Sequence, residues 1–584
     1  MIDSRINFIT DSKSKMAVCA LICLCSIALI QIIIFGVSPW LSGLFAGLPA
    51  LGYLSAFVLC VVVLFSPAFL LRLGWGRKES AQRLVADGFL IWLLLGYTSF
   101  SVYLVAGPAI GRVFVWVLWW GSVAFGLYGI RRNHRSIRDF RGLPWAIYLL
   151  VGLLYLSILT YSPINLDLFT LPQFRFLPNG LPNDNVIPWY WMEALLAGEV
   201  PHPLHGDWLS SDRPPLQTAV ISGAFQILVP AFNADLVYLS ISLACQILWI
   251  PTAWLVLSEM GANRREISYA VFLSAVTGFF CLNSLYVWPK LLAASLTLLA
   301  IYFLLSEVDI RAAWVKASVA TAFSLLAHGG AFFALPLIGV IAFLRFRERN
   351  FLKGLGYAVC AGLLFLLPWV LYQRFWDPPG DRLLKWHFAG VISIDSRSFL
   401  QAIHDSYSNL TFANWLSRRS ENIAWLFGSF PTSLEKLRDG QFFHLFQSLG
   451  FLNLGFLGYL FNRESSSFRS SKPIWWGLFL SLLGWNLLLF EGRSTSIHQG
   501  PYAIFAMLYL IASVGVSKMP TFLRYLVCIL HLILFAFIWW HPLDYTLALP
   551  LAAVPNFATG TASVLSLLGL LFFLSRWNRV SKNL

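Results

Sequence analysis

Residues 162–216 read SPINLDLFTLPQFRFLPNGLPNDNVIPWYWMEALLAGEVPHPLHGDWLSSDRPPL. Long apolar runs bracket this stretch. It carries Asp167, Asp184, Glu193, Asp207, Asp212 and Arg213, and it closes on Pro214-Pro215 before hydrophobicity resumes. A proline-rich polar loop that gathers acids between hydrocarbon-like segments is where a chain of this kind can do chemistry.

Outward from the loop, composition decides the class. The 584-residue chain is 58% hydrophobic and 12% charged, whereas a soluble domain carries roughly 25% charged residues. That deficit leaves too little charge for a water-facing surface, so the expected fold is an all-α polytopic membrane protein. Each span needs about 20 apolar residues, and no gap holds a soluble domain of about 100 residues. The net charge of +14 is spread in short clusters between apolar runs, which is the orientation signal of membrane proteins. No basic, aromatic-interleaved face points to nucleic acid, and none is expected as a partner. The eight cysteines lie in or beside apolar runs, so neither a disulfide framework nor a zinc site is implied. The first apolar run lacks a small-x-small cleavage site and reads as a retained span rather than a signal peptide.

Apolar runs fall near 17–36, 46–71, 84–107, 112–130 and 143–162. The clusters Arg72/Arg77/Lys78/Arg83 and Arg131/Arg132/Arg135/Arg138/Arg141 separate them. If these clusters mark the cytoplasm, the fifth span exits and loop 163–214 lies outside. Next comes a short piece, 215–231, expected to lie along the interface or re-enter, and then 236–257, 268–288, 290–306, 312–327, 330–345 and 354–375. The alternative takes 215–231 as a span and 312–345 as one long kinked helix. A second polar region, 376–440, precedes final runs near 441–461, 473–490, 501–516, 521–540 and 547–575. Both countings give about 16 spans. The expected organisation is N-terminal spans 1–162, a first outer loop 163–214 with interfacial helices, a central module 215–375, a second outer loop 376–440 and C-terminal spans 441–584. Loop 163–214, loop 376–440, turn 491–502 and the YVWPK segment ending at Lys290 then share one side.

Each polar residue of these segments has a bland reading beside a chemical one. Asp184 precedes VIPWYWMEALLAG, a short amphipathic helix with Trp189 and Glu193 on it. It is a helix cap or a carboxylate held at the membrane surface as a base, and the two are compatible. Arg213 snorkels to headgroups or clamps a phosphate with its planar fork. Lys290, beside apolar residues, faces a polar cavity or snorkels. His328 is a packing histidine or a ligand, and His498 lies at the outer end of a span. His202, His205 and Asp207 have no specific metal spacing.

An acid in an early polar loop, followed by a basic-Pro-Pro-Leu segment leading into the next apolar run, resembles the GT-C membrane glycosyltransferases. The aminoarabinose transferase and protein O-mannosyltransferase types are the nearest in pattern. Asp184 matches the acid of the first outer loop. Arg213-Pro214-Pro215-Leu216 matches the second motif, and His498-Gln499-Gly500-Pro501-Tyr502 resembles a late outer-side motif that contacts the carrier phosphate. The likeness covers about 160–350 and is weaker elsewhere. The chain departs from the pattern in carrying Asp184-Asn185 for an Asp-Glu pair, five runs before the loop rather than one, and His328 where some relatives carry Lys.

The resemblance implies a GT-C-like helical bundle that transfers a sugar from a polyprenyl-phosphate donor to a lipid, glycan or protein acceptor. The setting implied is the outer face of a bacterial cytoplasmic membrane. Asp184, or its rival Asp167, would take the acceptor proton with inversion at the anomeric carbon. Arg213, Lys290, Arg382, Lys385, Arg493 and His498 are the candidate cations for the leaving phosphate. Trp189, Glu193, Asp207, Asp212, His328 and Tyr502 are the candidates for the acceptor and sugar pocket. No cofactor is required, and a divalent metal has no DxD motif in the first loop to hold it. Two rivals remain: a glycan polymerase or ligase drawing on the cations of loop 376–440, and a lipid-linked sugar transporter or flippase. Transport predicts ionisable residues at mid-membrane, whereas the acids here collect in one loop.

Overall fold

Apolar runs without internal charge satisfy their backbone in hydrocarbon only as helices, and helices are what the chain builds. The computed structural model describes residues 49–75, 80–132, 145–161, 166–168, 170–175, 181–199, 203–230, 232–347, 351–427, 450–461, 472–490, 501–536, 540 and 557–580. The helices are α1 (Pro49–Gly74), α2 (Ala81–Arg132), α3 (Trp145–Thr160), α4 (Ile187–Ala197), α5 (Leu216–Leu228), α6 (Ala234–Gln246) and α7 (Trp249–Glu259). They continue with α8 (Arg264–Ala275), α9 (Gly278–Leu285), α10 (Lys290–Ser306), α11 (Ile310–Ala327), α12 (Leu335–Phe346) and α13 (Phe351–Leu371). Three short helices follow, α14 (Arg382–Ala389), α15 (Phe399–Ser408) and α16 (Phe412–Phe427). The last are α17 (Gly455–Phe461), α18 (Lys472–Leu488), α19 (Tyr502–Lys518), α20 (Thr521–Phe535) and α21 (Phe557–Val580).

The chain is an all-α integral membrane protein. Six stretches among the described residues are long and apolar enough to cross a bilayer: Ser55–Gly74, Ala81–Gly129, Ala234–Glu259, Ile310–Ala327, Gly329–Phe346 and Phe351–Trp376. A seventh arises if α8 and α9, bent by 62°, count as one broken span. Several apolar runs are thus divided more finely than their hydropathy suggests. The run 268–288 breaks at Thr277, whose hydroxyl accepts from Phe280 N at 3.3 Å and starts α9. The run 236–257 is interrupted between α6 and α7. The 312–345 stretch is two helices, separated by an extended His328 and a 3-10 turn over Gly329–Ala334. Helix α5 has 13 residues and reaches roughly 20 Å, short of a hydrocarbon core of about 30 Å. The polar region 376–440 is helical through α14, α15 and α16 as far as it is described.

The chain divides into two compact units, residues 1–143 with 219–241, and residues 144–218 with 242–584. In the first, α2 turns back on itself at Gly107, where φ is +79° before Pro108. Only glycine adopts that conformation without strain. The first unit is held by a half-buried Arg72–Asp87 ion pair at 3.2 Å and by Tyr103 donating to Gln226 at 2.5 Å. In the second unit α10 is the central element. Every residue from Lys290 to Leu304 is buried, against α7, α11 and α19. Helices α17 and α19 approach closely because small residues face each other; a Cβ on Gly458 would lie 1.9 Å from Gly515 O, the device membrane helices use for tight packing.

Candidate functional site

Two prolines shape the start of the site. Pro182 precedes a 3-10 turn, Asn183–Val186, and Pro188 opens α4, where its missing N–H costs nothing. Gly198, left-handed with φ +81°, ends α4. The turn is clamped from two directions. The buried Asn185 accepts from Gln173 Nε2 at 3.0 Å, and the Tyr286 hydroxyl donates to Pro182 O. Asn185 therefore has a structural task at the position where the resemblance expects an acid. No side chain caps the turn or α4, so Asp184 is not a helix cap. Its carboxylate meets Arg213 Nη2 at 3.4 Å.

Arg213 follows a 3-10 turn, Ser210–Asp212, with an extended backbone. Its guanidinium lies 4.3 Å from the Trp208 ring and 5.0 Å from the Trp288 ring, and it is buried. Such stacking suits a planar cation. Among the described residues its Nε has no hydrogen-bond partner. Burial lowers its pKa, while the nearby Asp184 and Asp212 carboxylates act in the opposite sense.

The Tyr286–Lys290 turn forms the facing wall. Val287 has φ +52°, a strained conformation for a β-branched residue. A chain of buried amides holds it. Gln217 Nε2 donates to Val287 O at 2.8 Å, Gln246 Nε2 donates to Gln217 Oε1 at 3.2 Å, and Gln246 Oε1 accepts from Leu292 N at 3.0 Å. The turn delivers Lys290, buried at the start of α10, with Nζ 4.9 Å from the Tyr502 ring. Burial lowers the Lys290 pKa to about 7, with Asp184 acting in the opposite sense and Arg213 in the same sense. His328 accepts from Gly330 N at 3.0 Å and packs edge-on to Trp288 and Tyr502. Trp191, Arg213, Pro214, Trp288, His328 and Leu383 line a narrow cleft.

The other candidates divide between this cleft and a brace beside it. Arg382 Nη2 binds Asp207 Oδ2 at 2.7 Å, Nη1 donates to Asp207 O at 3.0 Å, and Nε donates to Ile392 O at 2.8 Å. Its guanidinium also lies 4.0 Å from the Trp208 ring. The Arg382 hydrogen bond holds Asp207 below the usual carboxylate pKa. Lys385 pairs with Asp381 at 2.9 Å and donates to Asp395 O at 2.8 Å. Asp212 accepts from Leu209 N at 3.0 Å and is 3.8 Å from Arg382, and burial raises its pKa. Asp377 fastens the same segment by accepting from Ser210 Oγ at 2.5 Å and Ser211 N at 2.8 Å.

Asp167 accepts from Thr170 N at 2.7 Å and from its hydroxyl at 2.9 Å, closing its own turn. Trp189 is buried in α4 and Glu193 is exposed on it. His205 stacks on Tyr190, with ring centroids 5.9 Å apart. His202, Arg493 and His498 lie outside the described residues, although Pro501-Tyr502, which ends the late motif, arrives beside Lys290 and His328. Among the described residues no three His, Cys, Asp or Glu side chains converge as metal ligands. Trp208, Trp288, Asp377, Gln217 and Gln246 are contributors that the sequence reading passed over. For the two glutamines the available signal was an amide inside an apolar run, since a buried amide needs partners.

No protein-family model, no curated protein and no solved structure matches this chain.

Proposed function

We propose that the chain is a membrane glycosyltransferase of the GT-C kind, using a polyprenyl-phosphate-linked sugar as donor and a hydroxyl on a lipid, glycan or protein as acceptor. The observation that carries this reading is the Asp184–Arg213 pair, 3.4 Å apart, whose arginine lines a cleft together with Trp288 and His328. It joins one carboxylate to one cation with hydrogen-bonding capacity to spare; Lys290, whose pKa burial lowers to about 7 against the opposing pull of Asp184, is a second cationic group within electrostatic reach in its protonated form.

In this reading the acceptor oxygen attacks the anomeric carbon as its proton passes to Asp184. The bond from the anomeric carbon to the donor phosphate breaks on the opposite face, and the phosphate leaves with the electron pair. Arg213 and Lys290 neutralise the charge that develops on it. A phosphate leaves without protonation, so one base and two cations suffice. Trp288 and His328 wall the cleft, and the Gln217–Gln246 chain keeps the Lys290 turn in its strained form. Arg382, Lys385, Arg397 and Arg419 are each taken up by carboxylates or backbone carbonyls, which favours this reading over a polymerase using the cations of 376–440.

The test is sugar transfer by purified protein in proteoliposomes, from synthetic polyprenyl-phosphate sugars to extracted envelope acceptors. Asp184→Asn should lower the rate by about 10²–10⁴-fold, the range for removing a general base, with donor binding retained. Wild-type turnover in that variant removes Asp184 as the base.

A further inference from the structure

A second charged cluster lies at the other end of α19. Tyr502, which begins the 17-residue α19, touches Lys290; Lys518 ends it, roughly 25 Å away. There Lys518 pairs with Glu266 at 2.9 Å. Glu266 is itself held by the Asn263 backbone N–H in a capping box at the start of α8. The pair joins α8 to α19, and among the described residues no carboxylate pairs with the neighbouring Arg265 or Arg524.

Arg524 is the informative one. It stands in the first turn of α20 and is 8% exposed, yet its contacts are neutral and long. Nη1 reaches Ser517 O at 3.5 Å and Nη2 reaches Thr521 Oγ1 at 3.4 Å. Among the described residues it makes no ion pair, and its Nε has no hydrogen-bond partner. A buried guanidinium with so little compensation is costly unless an anion completes it. The contact to Thr521 places the guanidinium over the α20 N-terminus, where the first backbone N–H groups and the helix dipole also favour negative charge. Arg265 approaches from α8. Arg265 and Arg524 each lie 5.9 Å from the centre of the same Tyr269 ring.

The apolar surroundings choose the source of the anion. Phe522, Tyr525, Leu526 and Ile529, all on α20 and continuing away from this N-terminus, are exposed. In a membrane protein such a strip faces acyl chains. We infer that the α20 N-terminus, with Arg524 and Arg265, is a binding site for the phosphate of an anionic phospholipid whose chains lie along α20. The site lies apart from the Asp184–Arg213 cleft and does not rest on the proposed reaction.

The experiment uses the full-length protein in nanodiscs of phosphatidylcholine with graded dioleoyl-phosphatidylglycerol, and counts retained lipids by native mass spectrometry. Wild type should retain phosphatidylglycerol in preference to phosphatidylcholine. Arg265→Gln, an exposed change that puts folding at no risk, should weaken retention about fivefold, as should Arg524→Gln. That factor corresponds to about 1 kcal/mol per basic residue at a membrane surface. The double variant should lose the preference. Equal retention by wild type and the double variant overturns the proposal. So does displacement of the lipid by millimolar inorganic phosphate, because a site for free phosphate owes nothing to the acyl chains.

Discussion

Arg213 and Arg382 flank one tryptophan, with their guanidiniums 4.3 and 4.0 Å from the Trp208 ring, and they are in opposite conditions. Arg382 spends its donors on Asp207, on a second oxygen of Asp207 and on Ile392 O. It fixes the 203–213 segment to α14. Arg213 has one long ion pair and an unused Nε in a cleft. A buried cation whose hydrogen-bonding capacity is filled from within the chain is part of the scaffold. One held by two aromatic faces, with capacity left over, is prepared for something the chain does not contain. The same contrast separates the carboxylates: Asp167 is consumed by Thr170, whereas Asp184 faces Arg213.

The comparison is broken most decisively at Arg382. Arg382→Ala should cost about 3–5 kcal/mol of stability, the range for removing one partner of a buried pair, because Asp212 keeps its buried carboxylate and loses its cation. Thermal unfolding in detergent reads this, and activity should fall only in step with folded protein. A stable variant with weakened donor affinity would move Arg382 from the brace to the cleft. Arg213→Ala should do the reverse. Donor binding should weaken roughly 10–100-fold, as expected for a hydrogen bond to a charged group, with little loss of folded protein. Arg213→Lys should recover only part of it, since an ammonium keeps the charge and loses the fork. Donor affinity unchanged in Arg213→Ala returns this residue to a packing role. Smaller again is Asp167→Asn, which retains an acceptor for Thr170 and should leave turnover near wild type. A loss as large as that of Asp184→Asn would exchange the roles of the two acids.

The membrane class and the helical content were legible because charge scarcity and apolar run length act on every residue of the chain. The acids and the Arg-Pro-Pro-Leu segment were legible because they interrupt that pattern. Sequence could not show which cations were already engaged. Arg382 and Lys385 read like Arg213 and Lys290, and only packing reveals that Asp207, Asp381 and backbone carbonyls take them up. The breaks at Thr277 and His328 were hidden for a related reason. Hydropathy passes smoothly over a residue whose hydroxyl or imidazole captures a backbone N–H and starts a new helix. Val287 gave no local signal, since the Gln217 amide that holds its carbonyl is 70 positions away.

Asp212 provides the finest test, because it belongs to the brace and yet is incompletely served. Its side chain is 1% exposed, and Oδ1 has no hydrogen-bond partner among the described residues. Burial raises its pKa above the ordinary value, reinforced by Asp377 and opposed by the Leu209 N–H, Arg382 and Arg213. A raised carboxyl pKa means that the fold holds a proton the unfolded chain releases. The stability this contributes is full below the ordinary aspartate value of about 3.9 and is lost as pH rises through the raised value. Asp212→Asn is neutral throughout and keeps an acceptor for Leu209 N. Its stability relative to wild type should therefore improve as pH is taken from 4 to 7, by about 1 kcal/mol for each unit of displacement, read as the difference between unfolding midpoints at each pH. Parallel profiles would mean that the Arg382 charge, 3.8 Å away, already compensates the carboxylate in full, and that the brace is satisfied at Asp212 as well as at Asp207.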